Sequence, residues 1–352
     1  MPASSFQEFF IQWHLTERCN LRCRHCYQTD TRTEELSLTE IRLVLDEIID
    51  MLEAWSESYQ LEFSPSLNIT GGEPFLRQDL FEILEEISTA SFAIFLLTNG
   101  TLIDKEKAEQ LARLGINGVQ VSIEGPEKIH DSIRGTGSFA ASCKGISHLV
   151  KAGLRVTLNA TLSEINAEKF QDMIDIATGL GVQKLGFSRL VPSGRGLDLV
   201  NRVIGRQVIK KLYESIFGLD TGDLKIVTGD PVASQMRNGI EPVDDCGSTT
   251  TGGCAAGVSS LTILPDGTVT PCRRLPISLG NVRQDSLREI WANSEILEQL
   301  RDRSQYRGKC GNCERWAVCR GCRAIAYASS LTKGKPDILA DDPQCFIETL
   351  NQ

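Results

Sequence analysis

The chain has 352 residues, 41% of them hydrophobic, which is enough for a large core and for more than one folding unit. With 24% charged residues and a net charge of −9, disordered and collagen-like classes are excluded, and the lack of basic runs interleaved with aromatics disfavours a sequence-reading nucleic-acid binder. No apolar stretch reaches the roughly 18 residues needed to span a bilayer. The opening MPASSFQEFFIQWHL lacks the basic and apolar regions of a signal peptide, so a cytoplasmic protein without a membrane or nucleic-acid partner is expected.

From residue 11 to about 190, short β-branched runs alternate with helical patterns. Strands are predicted at 11–16, 66–70, 93–98, 118–123, 155–162 and 184–189. Amphipathic helices are predicted at 39–55, 78–90, 104–114, 139–152 and 165–180, with Ser37 and Glu40 as a capping box for the first. Six β/α units in strict alternation imply a parallel sheet with right-handed crossovers. Six is short of the eight in a closed barrel, so the expected fold is α/β, a partial (β/α)6 TIM-like barrel, with a last helix at about 203–218. Beyond about 225 the pattern becomes that of a small α+β unit. SSLTILPDGTVTPC reads as a hairpin turning at Asp266–Gly267, and 287–300 reads as one helix. The expected organisation is a barrel over 8–220, a bridging segment over 221–245 and a cysteine-rich domain over 246–348.

Twelve cysteines in such a chain point to metal or redox chemistry, because disulfides are rare in a reducing cytoplasm. Cys19, Cys23 and Cys26 form a CxxxCxxC group directly after the first strand. Three thiolates on one loop suit a cubane cluster with one iron left open, whereas four-cysteine ligation closes a cluster; zinc or unrelated thiols is the competing reading. The ends of the six strands carry polar or glycine-rich residues on one rim, where barrel active sites gather. These are the cysteine loop, Gly71-Gly72-Glu73-Pro74, Thr98-Asn99-Gly100, Ser122 with Glu124, Asn159, and Arg189 through Pro192. Cys143 reads as a core thiol, His25 as packing on the cluster, and Tyr27 and Trp13 as packing at the barrel mouth. His14, His130 and His148 are isolated, and Glu34-Glu35 and Asp341-Asp342 read as solvated surface.

CxxxCxxC followed by TGGEP after the second strand resembles the radical S-adenosylmethionine (SAM) superfamily, and the likeness runs from about residue 10 to 346. It implies that Cys19, Cys23 and Cys26 hold a SAM-cleaving [4Fe–4S] cluster, and that the reaction proceeds through a 5′-deoxyadenosyl radical. It places Gly71 and Gly72 beside the methionine end of SAM, Glu73 on its ammonium and Pro74 in the turn. Ser122, Glu124 and Asn159 fall to the ribose, Arg134 to the carboxylate, and Leu190 within 187–191 to the adenine.

The later cysteines resemble the SPASM extension of radical SAM maturases. The implied pairing is Cys246, Cys254, Cys272 and Cys322 for one auxiliary [4Fe–4S] cluster, and Cys310, Cys313, Cys319 and Cys345 for a second, three clusters in all. The interval between Cys319 and Cys322 is one residue shorter than is common in that motif, which leaves the exact partner of Cys322 open. Enzymes of this design most often modify ribosomally made peptides, and QWHLTERCNLRCRHCYQ is similar to maturases of selenobiotic-type (thio/selenooxazole) peptides. A peptide or protein substrate, a flavodoxin or ferredoxin donor and a separate peptide-recognition protein are the implied partners. The alternative is a tetrapyrrole-modifying enzyme of the heme d1 or alternative-heme kind, in which Arg189, Arg195, Arg273 and Arg274 are candidates for propionates. A sulfatase-type maturase is disfavoured, since Arg273 and Arg274 follow Cys272 where an Asp is expected. A non-catalytic electron carrier would need no SAM site.

Overall fold

The computed structural model describes residues 6–28, 34–236 and 252–347 of the chain. Seven strands pair in parallel in chain order: β1 (Phe6–His14), β2 (Glu62–Thr70), β3 (Ala93–Thr98), β4 (Gly118–Ser122), β5 (Val156–Leu162), β6 (Lys184–Arg189) and β7 (Lys225–Val227). Helices α1 (Leu38–Tyr59), α2 (Leu80–Thr89), α3 (Lys105–Arg113), α4 (Glu127–Arg134), α5 (Ser138–Lys151), α6 (Phe170–Gly179) and α7 (Arg206–Gly218) fill the crossovers.

All six expected strands are present, and β7 adds a seventh. Its three residues, Lys-Ile-Val, are too few to show a period. The expectation also missed α4, an eight-residue helix between Pro126 and Gly135, where φ is +118°. β2 begins four residues earlier than expected, through Pro65. β3 pairs with it only from Ser66 onward, so at Pro65 the β3 side is an open edge that asks for no amide hydrogen.

Alternation along the strands decides which face does chemistry. In β5, Val156, Leu158, Ala160 and Leu162 are buried in the hydrophobic core, while Asn159 and Thr161 face the cavity. In β4, Val119 and Val121 pack into that core and Gln120 and Ser122 line the cavity. Helix α1 buries Ile41, Val44, Leu45, Ile48, Met51 and Leu52, and the Ser37–Glu40 capping box forms as expected. Such a cap contributes about 1 kcal/mol.

The cysteine-rich region continues the same sheet. Strand β8 (Ser260–Ile263) pairs in parallel with β1, and β9 (Thr268–Thr270) and β10 (Gly280–Asn281) follow in antiparallel fashion. The β8–β9 hairpin turns at Asp266–Gly267 as expected, with φ of +85° at Gly267. The single helix expected over 287–300 is two, α8 (Leu287–Asn293) and α9 (Glu295–Arg301). Ser294 leaves helical geometry and its hydroxyl accepts from Leu297 N, so a new N-cap outcompetes continuation. Two short helices, α10 (Gly308–Gly311) and α11 (Arg323–Thr332), complete the region. Its docking is aromatic: Trp291 of α8 lies 5.0 Å from Trp55 of α1 and 5.3 Å from Phe9 of β1.

Candidate active site and cysteine clusters

The loop after β1 brings Cys19, Cys23 and Cys26 to the C-terminal ends of the strands. There they line a cavity of about 800 Å³, counting its open mouth. Gly71 and Gly72 after β2, Asn99 after β3, Ser122 of β4 and Asn159 of β5 line the same space. None of the eleven described cysteines is in a disulfide. Burial raises Cys19 to about 11 and also raises Cys23, so both are protonated thiols on their own. Binding iron would release those protons. Three thiols on one short loop fit a cluster that keeps one iron open, and the polar cavity beside them is room for what binds that iron.

The glycines that line the cavity are also pressed from behind. A Cβ on Gly72 would fall 2.3 Å from Arg18 O, and one on Gly71 would fall 2.6 Å from Thr16 O. Gly72 N donates to Thr16 O at 2.7 Å and Glu73 N to Arg18 O at 2.8 Å. Both glycines are needed because the root of the cysteine loop lies against their backbone. A second clasp, unread in the sequence, comes from Gly194-Arg195-Gly196 after β6. A Cβ on Gly194, whose φ is +54°, would meet Tyr27 O at 2.4 Å. Gly196 N donates to Cys26 O at 3.0 Å and Arg195 Nε to Cys23 O at 3.2 Å. An arginine between two glycines directly after a barrel strand was the available signal.

Glu124 is a hub with no exposed surface. Its Oε1 pairs with His25 Nε2 at 2.9 Å and accepts from Arg134 Nη2 at 2.6 Å; its Oε2 accepts from Thr161 N at 2.8 Å. Burial pushes this carboxyl up, but His25 and Arg134 outweigh it and hold it well below the usual range. Arg134 Nη1 then stands 3.7 Å from Cys23 Sγ. His25 is thus tied to a carboxylate as well as seated in the cysteine loop.

Glu73 does not line the cavity. Its carboxylate accepts from Thr98 Oγ1 at 2.8 Å, Asn99 N at 2.8 Å and Phe75 N at 3.3 Å, and burial raises it to about 7. It braces the β3 end that carries Asn99, whose Nδ2 lies 4.0 Å from Cys19 Sγ. Pro74 is buried at the start of a single 3-10 turn, and Leu190 is buried with its N bonded to Leu162 O at 3.0 Å. Trp13 is fully buried core rather than mouth packing, and Cys143 is half-buried on α5.

Of the four candidate arginines for substrate carboxylates, Arg195 and Arg273 line the cavity. Arg189 and Arg274 do not. Arg189 is buried against Asp230 and Asp342, and Arg274 Nη1 donates to Arg189 O at 3.3 Å. The reading of Asp341-Asp342 as solvated surface is overturned: Asp342 is buried and Asp341 accepts from Lys309 N and Cys310 N. Glu35 likewise bonds Thr16 Oγ1 and Arg18.

Several of the later cysteines lie near one another, while among the described residues no three His, Cys, Asp or Glu side chains converge on a single metal ion. Gln235 Nε2 lies 3.5 Å from both Cys319 Sγ and Cys345 Sγ, and Cys310 and Cys313 interact electrostatically with Cys345. Burial raises Cys310 to about 12. Cys254 interacts with Cys322, and Arg274 sits beside both Cys322 and Cys272. Gly253 (φ +79°) lies against the Cys319 backbone, and Cys254 N donates to Cys319 O at 3.2 Å. Cys246 lies outside the described residues.

A fold of this type is shared with proteins of known structure. The Radical SAM superfamily profile matches residues 13–177, and the SPASM iron–sulfur cluster-binding profile matches residues 254–323. The chain belongs to the radical SAM superfamily and carries a SPASM domain; both domains imply [4Fe–4S] clusters, and the first implies SAM and a reductant. It is 35% identical to the AdoMet-dependent heme synthase of Methanosarcina barkeri, over 96% of this chain and 95% of that protein. It is 30% identical to the mycofactocin maturase MftC of Mycobacterium tuberculosis, over 95% of this chain and 82% of that protein. In fold it resembles Streptococcus suis SuiB bound to its precursor peptide SuiA, with a TM-score of 0.75, 17% identity and coverage of 97% of this chain and 76% of that one. Among the described residues no helix is long and apolar enough to cross a membrane.

Proposed function

We propose that this enzyme acts on a carboxylate-bearing tetrapyrrole, as an oxidoreductase of heme-type biosynthesis, rather than on a peptide. The observation that carries the reading is the 35% identity to a heme synthase over nearly all of both chains, barrel and cysteine-rich region alike. Arg195 and Arg273 at the mouth suit propionate groups. The heme-synthase likeness favours this reading over the selenobiotic-type peptide reading suggested by the opening motif. A peptide substrate remains the second reading, favoured by the 30% identity to mycofactocin maturase.

Bound, the cluster and SAM supply a carbon-centred radical that takes a hydrogen atom from an unactivated C–H bond. The chain's own residues do the rest. Cys19, Cys23 and Cys26 would hold the first cluster. Gly71, Gly72, Ser122, Asn159 and Arg134 frame the cavity for SAM, with Glu73, Glu124 and Leu190 behind that wall as supports. The proposed second set is Cys246, Cys254, Cys272 and Cys322, and the third is Cys310, Cys313, Cys319 and Cys345; clusters held there would supply a path for electrons from a flavodoxin or ferredoxin, or away from the oxidised substrate. The test is anaerobic incubation of the reconstituted enzyme with SAM, dithionite and iron coproporphyrin III, a propionate-bearing tetrapyrrole that a further relative, 28% identical, is named for, set against precursor peptides. A porphyrin product with a changed mass and Soret band is expected. Turnover of a peptide with the porphyrin untouched would replace this reading with the second.

A further inference from the structure

We infer that Arg273 is the anchor for a substrate carboxylate, delivered into the barrel cavity by the SPASM hairpin; this rests on the tetrapyrrole reading and assigns the residue that recognises it. Arg273 follows Cys272 at the end of β9, and the sheet order places β9 and β8 on the far side of β1 from β2. Residues framing the cavity for SAM come from β2 through β5. Arg273 therefore enters from the opposite flank of the cysteine loop, and both flanks meet in the one cavity.

Its surroundings single it out among the cavity's arginines. Arg134 is committed to Glu124, and Arg195 donates to Cys23 O. Arg273 has no carboxylate or hydrogen-bond acceptor among the described residues; its guanidinium carbon lies 5.7 Å from the centroid of the Tyr27 ring, and its charge acts on His14. A half-buried guanidinium has five donors and a full charge. Facing the open cavity, those donors can meet an anion, and a propionate would supply both acceptor and charge in bidentate form. Tyr27 holds the planar group in place by cation–π attraction and gives a tetrapyrrole edge an aromatic neighbour. The neighbouring Arg274 donates to Arg189 O and does not line the cavity, so the two adjacent arginines divide the work: one braces the backbone after β6 and one faces the cavity.

The test uses the anaerobically reconstituted full-length enzyme and titrates iron coproporphyrin III, followed by its Soret band, against wild type, Arg273→Leu and Arg273→Lys. SAM affinity and iron content are measured on the same samples. Arg273→Leu is expected to weaken porphyrin binding about tenfold, the scale of one charge-assisted pair. SAM affinity and iron content should stay at wild-type levels, and Arg273→Lys should recover part of the loss, since it keeps the charge without the fork. Unchanged porphyrin binding in Arg273→Leu, or a loss of SAM affinity instead, overturns the assignment while leaving the tetrapyrrole reading intact. Absence of porphyrin binding by wild type itself overturns the reading and the assignment together.

Discussion

Arg189, at the end of β6, and Asp342, 153 residues later, form a fully buried pair in which Arg189 Nη2 donates to Asp342 Oδ2 at 2.8 Å and Nη1 to Oδ1 at 3.0 Å. Asp230 takes the other edge of the guanidinium, and Tyr213 donates to Asp230 at 2.5 Å. Asp342 Oδ2 also accepts from Cys322 N at 2.8 Å. The barrel's last long strand and a cysteine of the SPASM domain therefore share one carboxylate.

Asp342→Ala leaves Arg189 buried with half its charge partners gone, a change that costs about 3 to 5 kcal/mol. We expect a lowered urea midpoint and reduced iron retention at the auxiliary sites, because Cys322 loses the acceptor that positions its backbone. Asp342→Asn keeps two polar atoms and should fall between. A midpoint equal to wild type in Asp342→Ala would show that the network is dispensable.

Gly72→Ala and Gly194→Ala place a methyl against Arg18 O and Tyr27 O, from opposite sides of the cysteine loop. Each should lower iron content by about one cluster's worth while the SPASM clusters remain, as read by iron analysis and electron paramagnetic resonance. Gly205, whose Cβ would meet nothing, is the control: Gly205→Ala should keep full iron.

Much of this site was legible because its signals are contiguous. CxxxCxxC and TGGEP are short words whose residues act together, and the alternating strand-helix pattern located β3, β4, β5 and β6 closely. Long-range pairing was not legible. Asp341-Asp342 reads as surface because nothing near it in sequence reveals that Arg189 waits inside. Arg189 and Arg274 read as substrate-facing for the same reason, since an arginine's direction depends on which carboxylate or carbonyl the fold brings to it. Gly71 and Gly72 were found, yet the steric cause lies in the loop behind them as well as in the cavity before them. The break at Ser294 and the three-residue β7 are local choices too short for periodicity to resolve.

Acid should weaken the fold through its buried histidines. Burial lowers His14 to about 3 and, joined by Arg134, lowers His130 to about 4; both ordinarily titrate near 6.5. Between those limits the unfolded chain takes up protons that the folded chain refuses, so stability is full above 6.5 and declines as the pH falls toward 4. His130 Nδ1 accepts from Glu124 N at 3.2 Å and must be unprotonated to do so. His130→Asn keeps an acceptor at that place but cannot titrate. Its unfolding midpoint should fall less steeply than wild type's between pH 6.5 and 5.

Reductive cleavage of SAM at the first cysteine loop is the step on which all the rest depends. The direct measurement is 5′-deoxyadenosine formed by anaerobically reconstituted enzyme with SAM and dithionite, compared with a Cys19→Ala/Cys23→Ala/Cys26→Ala variant that retains its SPASM cysteines. Wild type should form it and the variant should not, although the variant still binds iron. Equal formation by both would place the chemistry elsewhere and contradict the account.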